Sequence, residues 1–382
     1  MKEVKSKLPN VGTTIFTVMS QMAAEYKAIN LSQGFPDFPV SEKLIDLVYQ
    51  NMQIGHNQYA PMPGLPKLRE AIAHKIKNTG GIGLNIDTEI TVSAGATEAI
   101  FSSVLSLVHQ GDEVIVLEPA YDCYIPAIEL AGGKVIPIGL KLPEFTPDWQ
   151  KVKDNITPKT RMIVINFPHN PSGAILTEDD IKSLKEILKQ NPQLIILSDE
   201  VYEHIIFDGR ANLSVLKDEF LASRSIAISS FGKTFHATGW KIGYMVAPEP
   251  IMTEIRKVHQ YNCFSVHTPS QFAMAEYLQD EQNYLGVSSM YEKKRDFFQQ
   301  AMKNSKFKVI PSFGTYFQVL DFTEVSDKAD MEFAQYLIKV KGVASIPVSA
   351  FYSDKQDNHL LRFCFAKGEE TLQKAADILC KI

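Results

Sequence analysis

The chain has 382 residues, of which 45% are hydrophobic and 22% are charged, and its formal net charge is −5. These values are typical of a globular protein with one large domain or two. The negative charge argues against nucleic acid as a main partner, and no uncharged apolar run approaches the ~20 residues that span a bilayer.

The cysteines are scattered, with no Cys-x-x-Cys spacing, and we interpret them as reduced thiols of a cytoplasmic protein. They are Cys123, Cys263, Cys364 and Cys380. The nine histidines include no His-Glu-x-x-His or similar spacing, so we expect no metal site. The basic stretch 1–7 has no apolar run behind it, and we do not expect a signal peptide.

The first half of the chain alternates between predicted helices and predicted strands. Residues 1–40 read as an arm and an irregular segment, because Pro36 and Pro39 restrict the backbone. Apolar spacing then predicts helices at 41–53, 65–77, 94–108 and 177–189, and buried strands at 90–93, 113–117, 161–166 and 194–197.

Polar and aromatic residues follow these strands, where open α/β sheets place their ligands. Ala96 and Thr97 open a helix, and either their free N–H groups bind a phosphate or Thr97 is a simple N-cap. Tyr121 either stacks on a flat ring or only packs against neighbours. Asn170 precedes a proline in a binding loop or a plain turn. Asp199 either pairs with a buried cation or caps the next segment.

The most informative stretch is 229–243, Ser-Ser-Phe-Gly-Lys-Thr-Phe-His-Ala-Thr-Gly-Trp-Lys-Ile-Gly. It follows the apolar strand 225–228, so Lys233 lies just past a strand end. Lys233 suits a nucleophile for a carbonyl and Lys241 a counter-charge for a phosphate, and pyridoxal phosphate presents both groups. A solvated loop lysine is the alternative. The Gly-Lys-Thr run is not a P-loop, because Ala227 stands where that motif needs glycine.

The last third of the chain has the pattern of a smaller α+β domain. Helices are predicted at 251–260, 268–278, 291–302, 330–339 and 370–381, and strands at 308–310, 315–320, 343–346 and 360–365. In the last strand, alternation places Arg362 on the face opposite Leu361 and Phe363. This arginine suits bidentate binding of a carboxylate; the alternatives are a strand-edge arginine in solvent and a structural ion pair.

Three segments resemble the fold-type I pyridoxal-phosphate aminotransferases of class I and II. They are Asn-Leu-Ser-Gln-Gly-Phe-Pro-Asp-Phe at 30–38, the lysine segment at 230–244, and Leu-Arg-Phe-Cys-Phe-Ala-Lys at 361–367. The resemblance extends along almost the whole chain and is strongest to bacterial methionine aminotransferases and the kynurenine/glutamine aminotransferase subgroup. It implies a large α/β domain at 41–285, with a mostly parallel seven-stranded sheet, and a small domain from 1–40 and 286–382.

The resemblance also implies a role for each candidate residue. Lys233 carries the cofactor, Asp199 pairs with its ring nitrogen, and Tyr121 lies against its ring. The other implied cofactor contacts are Ala96, Thr97, Ser230, Lys241 and the other subunit's Tyr59 on the phosphate, and Asn170 and Tyr202 on the ring oxygen. The implied contacts to the substrate carboxylate are Gly34, Asn170 and Arg362. Many relatives have arginine where this chain has Lys241, and lysine lacks the bidentate fork.

The implied reaction is ping-pong transfer of an amino group from methionine, an aromatic amino acid, kynurenine or glutamine to a 2-oxo acid, in a homodimer with its sites at the subunit interface. Freed Lys233 moves a proton from the substrate Cα. Two alternatives remain. A carbon–sulfur β-lyase uses the same fold and lysine, and releases pyruvate and ammonia from cystathionine or cysteine conjugates. A non-catalytic regulator would carry a DNA-binding extension. We do not expect such an extension, because the predicted fold begins close to the start of the chain.

Overall fold

The computed structural model describes residues 4–382, so the beginning of the basic stretch 1–7 lies outside the described residues. The α-helices in this range are α1 (Ile15–Glu25), α2 (Glu42–Gln53), α3 (Pro66–Asn78), α4 (Ala96–Leu107), α5 (Tyr124–Leu130), α6 (Trp149–Asp154), α7 (Glu178–Gln190), α8 (Glu219–Ala222), α9 (Phe231–Thr234), α10 (Glu249–Asn262), α11 (Thr268–Tyr277), α12 (Gln282–Leu285), α13 (Val287–Ala301), α14 (Asp330–Tyr336) and α15 (Glu369–Leu379). None of these helices is long and apolar enough to cross a bilayer.

The strands in the same range form three sheets. They are β1 (Ile29–Asn30), β2 (Ile90–Ser93), β3 (Glu113–Glu118), β4 (Lys134–Gly139), β5 (Thr160–Asn166), β6 (Ile195–Asp199), β7 (Ser225–Ser230), β8 (Gly243–Val246), β9 (Lys308–Val309), β10 (Phe317–Asp321), β11 (Val343–Ala344), β12 (Ile346–Pro347) and β13 (Leu360–Cys364).

The largest sheet has seven strands in the order β2-β8-β7-β6-β5-β3-β4. Strand β8 is antiparallel to both of its neighbours, and the other pairs are parallel. Every residue of β6 and β7 is buried, because helices cover both faces of a parallel sheet. The predicted α/β fold with a mostly parallel seven-stranded sheet is confirmed.

The register of this sheet aligns the ends of its central strands. Asn166 at the end of β5 is paired with Asp199 at the end of β6, and Ser230 ends β7 one strand further on. Three polar side chains therefore reach the same edge of the sheet, together with the helix turn α9 that follows β7.

A second core joins the N-terminal segment to the C-terminal part of the chain. Strand β1 pairs in parallel with β11, and Met19 and Leu31 belong to the same apolar cluster as Phe333 and Leu379. Strands β12, β13, β10 and β9 form a four-stranded sheet in this region. The division into domains at 40/41 and 285/286 stays a prediction.

The expectation for residues 1–40 is correct only in part: residues 31–40 are irregular, as Pro36 and Pro39 predict, but a helix that the sequence pattern did not predict precedes them. Helix α1 begins after Thr14, whose side chain accepts a hydrogen bond from the N–H of Thr17. Its buried Met19 and Ala23 are four residues apart, which is the spacing of one helix face. Packing of this face into the second core stabilises a helix that the later prolines do not disturb.

Candidate active site

A cavity of about 310 Å³ opens at the carboxyl ends of the central strands. This is within the ~300–1,000 Å³ that small-molecule sites usually occupy. Eleven of the twelve candidate residues line it: Gly34, Ala96, Thr97, Tyr121, Asn170, Asp199, Tyr202, Ser230, Lys233, Lys241 and Arg362. The structure thus brings together residues that are up to 328 positions apart in the chain, from Gly34 to Arg362 (362 minus 34).

Lys233 lies in the single helical turn α9 directly after β7, and its side chain points into the cavity. Its amine donates hydrogen bonds to the main-chain oxygen of Gly34 at 3.1 Å and to the hydroxyl of Tyr316 at 2.9 Å. Burial lowers the pKa of this amine to about 8, and the nearby cations Arg362 and Lys241 act in the same direction. Roughly a tenth of the amine is therefore neutral and nucleophilic at pH 7, far more than at its ordinary pKa of 10.5.

Asp199 ends β6 and is only 3% exposed. Its carboxylate accepts hydrogen bonds from the hydroxyl of Tyr124 at 2.6 Å and from the N–H of Val201 at 3.3 Å. Burial raises the pKa of this carboxyl to about 6, and these hydrogen bonds partly oppose the rise. Turns and not a helix follow Asp199, and one of its carboxylate oxygens caps the first of these turns through the N–H of Val201. Both partners are neutral, so the carboxylate suits a cationic group on a ligand.

The start of α4 forms an anion-binding corner of the cavity. Gly95 is the N-cap with φ +80°, so Thr97 is not the N-cap. A Cβ at Gly95 would come within 3.3 Å of the Cε and Nζ atoms of Lys241. The ammonium of Lys241 therefore lies against the first turn, where the N–H groups of Ala96 and Thr97 have no partner within the helix. This arrangement favours a phosphate.

Arg362 also lines the cavity. It is 1% exposed, which excludes a solvent-facing strand arginine. Its guanidinium donates to the side-chain oxygen of Asn170 at 2.9 Å and to the main-chain oxygen of Ser32 at 2.8 Å. Within residues 4–382, its Nε is buried without a hydrogen-bond partner. Burial lowers the pKa of Arg362 to about 10, which still leaves a cation at neutral pH. An unsatisfied buried guanidinium of this kind suits a carboxylate ligand.

Tyr59 is the one candidate that lies outside the cavity. It is 82% exposed, and its ring packs edge-on against Phe264 with the ring centroids 5.3 Å apart. The predicted contact to the phosphate involves another subunit, so it stays a prediction.

Several side chains that shape the site are not among the predicted site residues. Asn166, the last residue of β5, donates to the main-chain oxygen of Asp199 and accepts from the N–H of Asn170. Its position after an apolar run is the same signal that identified Asp199. Phe16 lines the cavity from helix α1, so a prediction of this residue would have required a prediction of that helix. Tyr124 and Tyr316 act through contacts between distant segments, for which the sequence carries no local signal.

The lowered pKa of Lys233 predicts a pH-dependent stability difference in the cofactor-free protein. Between pH 8 and the ordinary value of 10.5, the unfolded chain binds more protons at this amine than the folded chain, so native stability rises with pH. Lys233→Met removes this titration. We expect the stability advantage of the variant to be largest below pH 8 and to fall by about 1.4 kcal/mol per pH unit above it. Urea unfolding of both proteins across this range measures the difference, and a constant difference would contradict the burial of a titrating amine.

Comparisons with known proteins agree with this site. The aminotransferase class I and II family matches residues 26–379, and this chain belongs to that family of pyridoxal-phosphate-dependent enzymes. A methionine aminotransferase of Escherichia coli K12 is 47% identical over 376 residues, which cover 98% of this chain and 97% of that protein. Human kynurenine–oxoglutarate transaminase 1 is 32% identical and covers 94% of this chain and 94% of its own.

Solved structures also support membership of the aminotransferase family. The crystal structure of Escherichia coli YbdL, described as having methionine aminotransferase function, has a TM-score of 0.98 at 46% identity and covers 100% of both chains. The Mycobacterium tuberculosis N-succinyldiaminopimelate aminotransferase has a TM-score of 0.95 at 36% identity and covers 99% of this chain and 100% of its own. The predicted family, enzyme class and cofactor are confirmed.

Proposed function

We propose that this aminotransferase takes methionine as its preferred amino donor, with aromatic amino acids, kynurenine and glutamine as further donors, and transfers the amino group to a 2-oxo acid by a ping-pong mechanism. The observation that carries the proposal is the neighbourhood of Arg362. The ring of Phe16 lies 5.2 Å from the Arg362 guanidinium carbon, and its centroid is 6.5 Å from that of Tyr121. An aromatic wall beside the carboxylate site suits a thioether or an aromatic side chain. The 47% identity to a methionine aminotransferase supports the same choice.

The residues of the cavity fit pyridoxal phosphate at three points. Asp199 would pair with the ring nitrogen, because it is a buried carboxylate with only neutral partners. The first turn of α4, with Lys241 and Ser230, would hold the phosphate. Lys233 would reach the aldehyde. The implied contacts of Tyr121 with the ring, and of Asn170 and Tyr202 with the ring oxygen, complete the set, and all three line the same cavity.

The chain's own residues then supply binding, orientation and proton transfer. When bound, the cofactor supplies an aldehyde that takes the amino group and a ring that accepts electrons from the substrate Cα–H bond. Arg362, Asn170 and the main chain of Gly34 orient the substrate carboxylate. The amine of Lys233 is neutral in part because its pKa is about 8. It would take the proton from the substrate Cα and then donate it to the aldehyde carbon of the cofactor.

A panel of amino donors tests the proposal. Holoenzyme is mixed with methionine, phenylalanine, tyrosine, kynurenine, glutamine or aspartate, and conversion of the cofactor spectrum is followed in single turnover with and without 2-oxo acids. We expect the highest rate constant per mole of donor for methionine. A clear preference for aspartate would contradict the proposal, and pyruvate release from cystathionine without a 2-oxo acid would show the β-lyase alternative instead.

Arg362→Lys is expected to lower kcat/KM for methionine by roughly 10²–10³-fold, because lysine keeps the charge but not the bidentate fork. The loss should be much smaller for a donor amine that lacks a carboxylate. Steady-state kinetics with methionine and with 3-(methylthio)propylamine measure the two effects. Equal losses for both donors would show that Arg362 does not bind the carboxylate.

We propose a homodimer in which Tyr59 completes the site of the other subunit. Supporting this, Tyr59 and Tyr261 are 82% and 87% exposed, and Phe264 lies against Tyr59 on the same surface. Large aromatic side chains are enriched in protein interfaces. We also propose a cytoplasmic location, since all four cysteines are free thiols, as in a reducing compartment.

Mixed dimers test the role of Tyr59. Tyr59→Phe alone is expected to weaken cofactor binding by about 10- to 100-fold, the effect of one hydrogen bond to a charged group. Lys233→Ala alone is expected to be inactive. The two variants are then mixed, so that some dimers contain one Tyr59→Phe subunit and one Lys233→Ala subunit. If Tyr59 acts across the interface, such a dimer has one native site. Activity at limiting cofactor should then return on mixing. No gain on mixing, with dimers shown to exchange subunits, would place Tyr59 outside the partner's site.

A further inference from the structure

The hydroxyl of Tyr316 is a buried polar group beside the site to which neither the sequence nor the family resemblance gives a role. Tyr316 precedes β10 and is fully buried. Its ring packs edge-on against Tyr202, with the centroids 5.2 Å apart, and at a tilt of 41° against Tyr291, with the centroids 5.5 Å apart. Packing fixes the ring in this cluster, so its hydroxyl reaches a defined point at the edge of the cavity.

Three polar atoms meet at that point in a closed arrangement. The Tyr316 hydroxyl donates to the main-chain oxygen of Gly34 at 2.6 Å, and it accepts from the amine of Lys233 at 2.9 Å. The same amine donates to the Gly34 oxygen at 3.1 Å. Because the hydroxyl proton of Tyr316 forms the hydrogen bond to Gly34, a lone pair of the hydroxyl oxygen accepts from Lys233.

Gly34 cannot easily move away from this arrangement. A Cβ at Gly34 would lie 2.8 Å from the Cζ atom of Phe317, so the backbone is packed directly against that ring. Phe317 in turn lies 4.0 Å from the guanidinium carbon of Arg362. The amine of Lys233 is therefore tied to the segment that borders the carboxylate end of the cavity.

We propose that Tyr316 is a positioning residue that holds the free amine of Lys233 whenever this amine is not bonded to the cofactor. The inference rests on the proposed role of Lys233. A lysine amine on a flexible four-carbon stem has many accessible positions. Proton transfer requires the amine at hydrogen-bond reach of the reacting atom. The Tyr316 hydroxyl and the Gly34 carbonyl give the released amine one docking point next to the bound carboxylate.

The docking point also affects the proton affinity of the amine. The charged and titratable groups that act on Lys233 are Arg362 and Lys241, which lower its pKa, and Asp199 and Cys364, which raise it. An oxygen that accepts a hydrogen bond from the ammonium favours the protonated form. Removal of the Tyr316 hydroxyl should therefore shift the titration of Lys233 to lower pH.

The test uses Tyr316→Phe, which keeps the ring, and Tyr291→Phe as the matched control. Tyr291 belongs to the same aromatic cluster and is fully buried, but its hydroxyl bonds His236 at 2.9 Å instead of Lys233. In cofactor-free protein, the reactivity of the Lys233 amine toward trace acetic anhydride is measured against pH by mass spectrometry of its peptide. We expect a midpoint near 8 in the wild type, a midpoint lower by about one pH unit in Tyr316→Phe, and no change in Tyr291→Phe.

In the loaded enzyme, Tyr316→Phe is expected to lower kcat with methionine by about 10- to 100-fold, with a larger isotope effect from α-deuterated methionine and unchanged cofactor affinity. If Tyr316→Phe does not fold, 3-fluorotyrosine at 316 weakens the acceptor in the same ring and should lower the midpoint in the same direction. Equal midpoints and equal isotope effects in wild type and variant would overturn the inference. The titration does not depend on catalysis, so its failure would leave the proposed function standing.

Discussion

Lys233→Ala is expected to lower the rate of amino-group transfer from methionine by roughly 10⁴-fold or more, since the change removes both the nucleophile and the proton carrier. The amine of the partly buried Lys233 lies in the cavity with Asp199 and Arg362, and its lowered pKa of about 8 suits both tasks. Alanine leaves the cavity walls in place, so cofactor and methionine are still expected to bind. Single-turnover conversion of the cofactor spectrum measures the loss directly.

The matched control for this variant is Lys182→Ala. Lys182 is an exposed lysine of helix α7, paired with Asp179 at 2.7 Å, and it lies outside the cavity. We expect wild-type rates for this control. If Lys233→Ala turned over methionine as the control does, Lys233 would have no part in the chemistry.

Asp199→Asn is expected to give the second-largest loss, on the order of 10²–10³-fold in kcat, the range seen when one preorganised charge-stabilising group is removed. Asparagine keeps the size of the side chain and an acceptor for the Tyr124 hydroxyl, which bonds Asp199 at 2.6 Å. It carries no negative charge to keep the cofactor ring nitrogen protonated, and the ring then accepts electrons less well. Exchange of the Cα proton of methionine in deuterium oxide, followed by NMR, measures the affected step.

Glu200→Gln controls for the loss of a buried carboxyl. Glu200 follows Asp199, is buried, and accepts hydrogen bonds from Ser198 and from the N–H of Val215, away from the cavity. We expect Glu200→Gln to retain proton exchange, with any cost limited to stability. An equal loss of exchange in the two variants would contradict a specific role for Asp199.

The strand ends could be predicted because each central strand is a short apolar run with a polar residue after it. Asp199 ends the buried strand β6 and Lys233 follows the buried strand β7, and parallel strands place such ends at one edge of the sheet. This local signal also applies to Asn166. The roles of Tyr202 and Ser230 could be predicted only from the family resemblance, because a tyrosine or serine at a strand end does not by itself indicate a functional site.

Contacts between distant segments could not be predicted. The hydroxyl of Tyr316 contacts Lys233 and the carbonyl of Gly34, although these residues are 83 and 282 positions away from Tyr316 in the sequence. Nothing in the local pattern at 315–320, which reads as an ordinary strand, indicates that one side chain turns toward a lysine. Such contacts are fixed by packing of the second core against the large sheet.

Strand β4 shows a different limit of the sequence patterns. It is the edge strand of the large sheet and contains Pro137, which lacks the N–H that a central strand needs. Its apolar run at 135–138 is interrupted by this proline, unlike the unbroken run that identified β6, and only one of its six residues is fully buried. Helix α1 has an apolar face at helical spacing, and Pro36 and Pro39 lie too far past its end to restrict it.

The most direct test of the central claim is reduction of the holoenzyme with borohydride, followed by peptide mapping by mass spectrometry. A cofactor bonded to an amine becomes a stable adduct, and its position identifies that amine. We predict one adduct per chain, on the peptide that contains Lys233. An adduct on another lysine, or none in protein that is saturated with pyridoxal phosphate, would contradict the account.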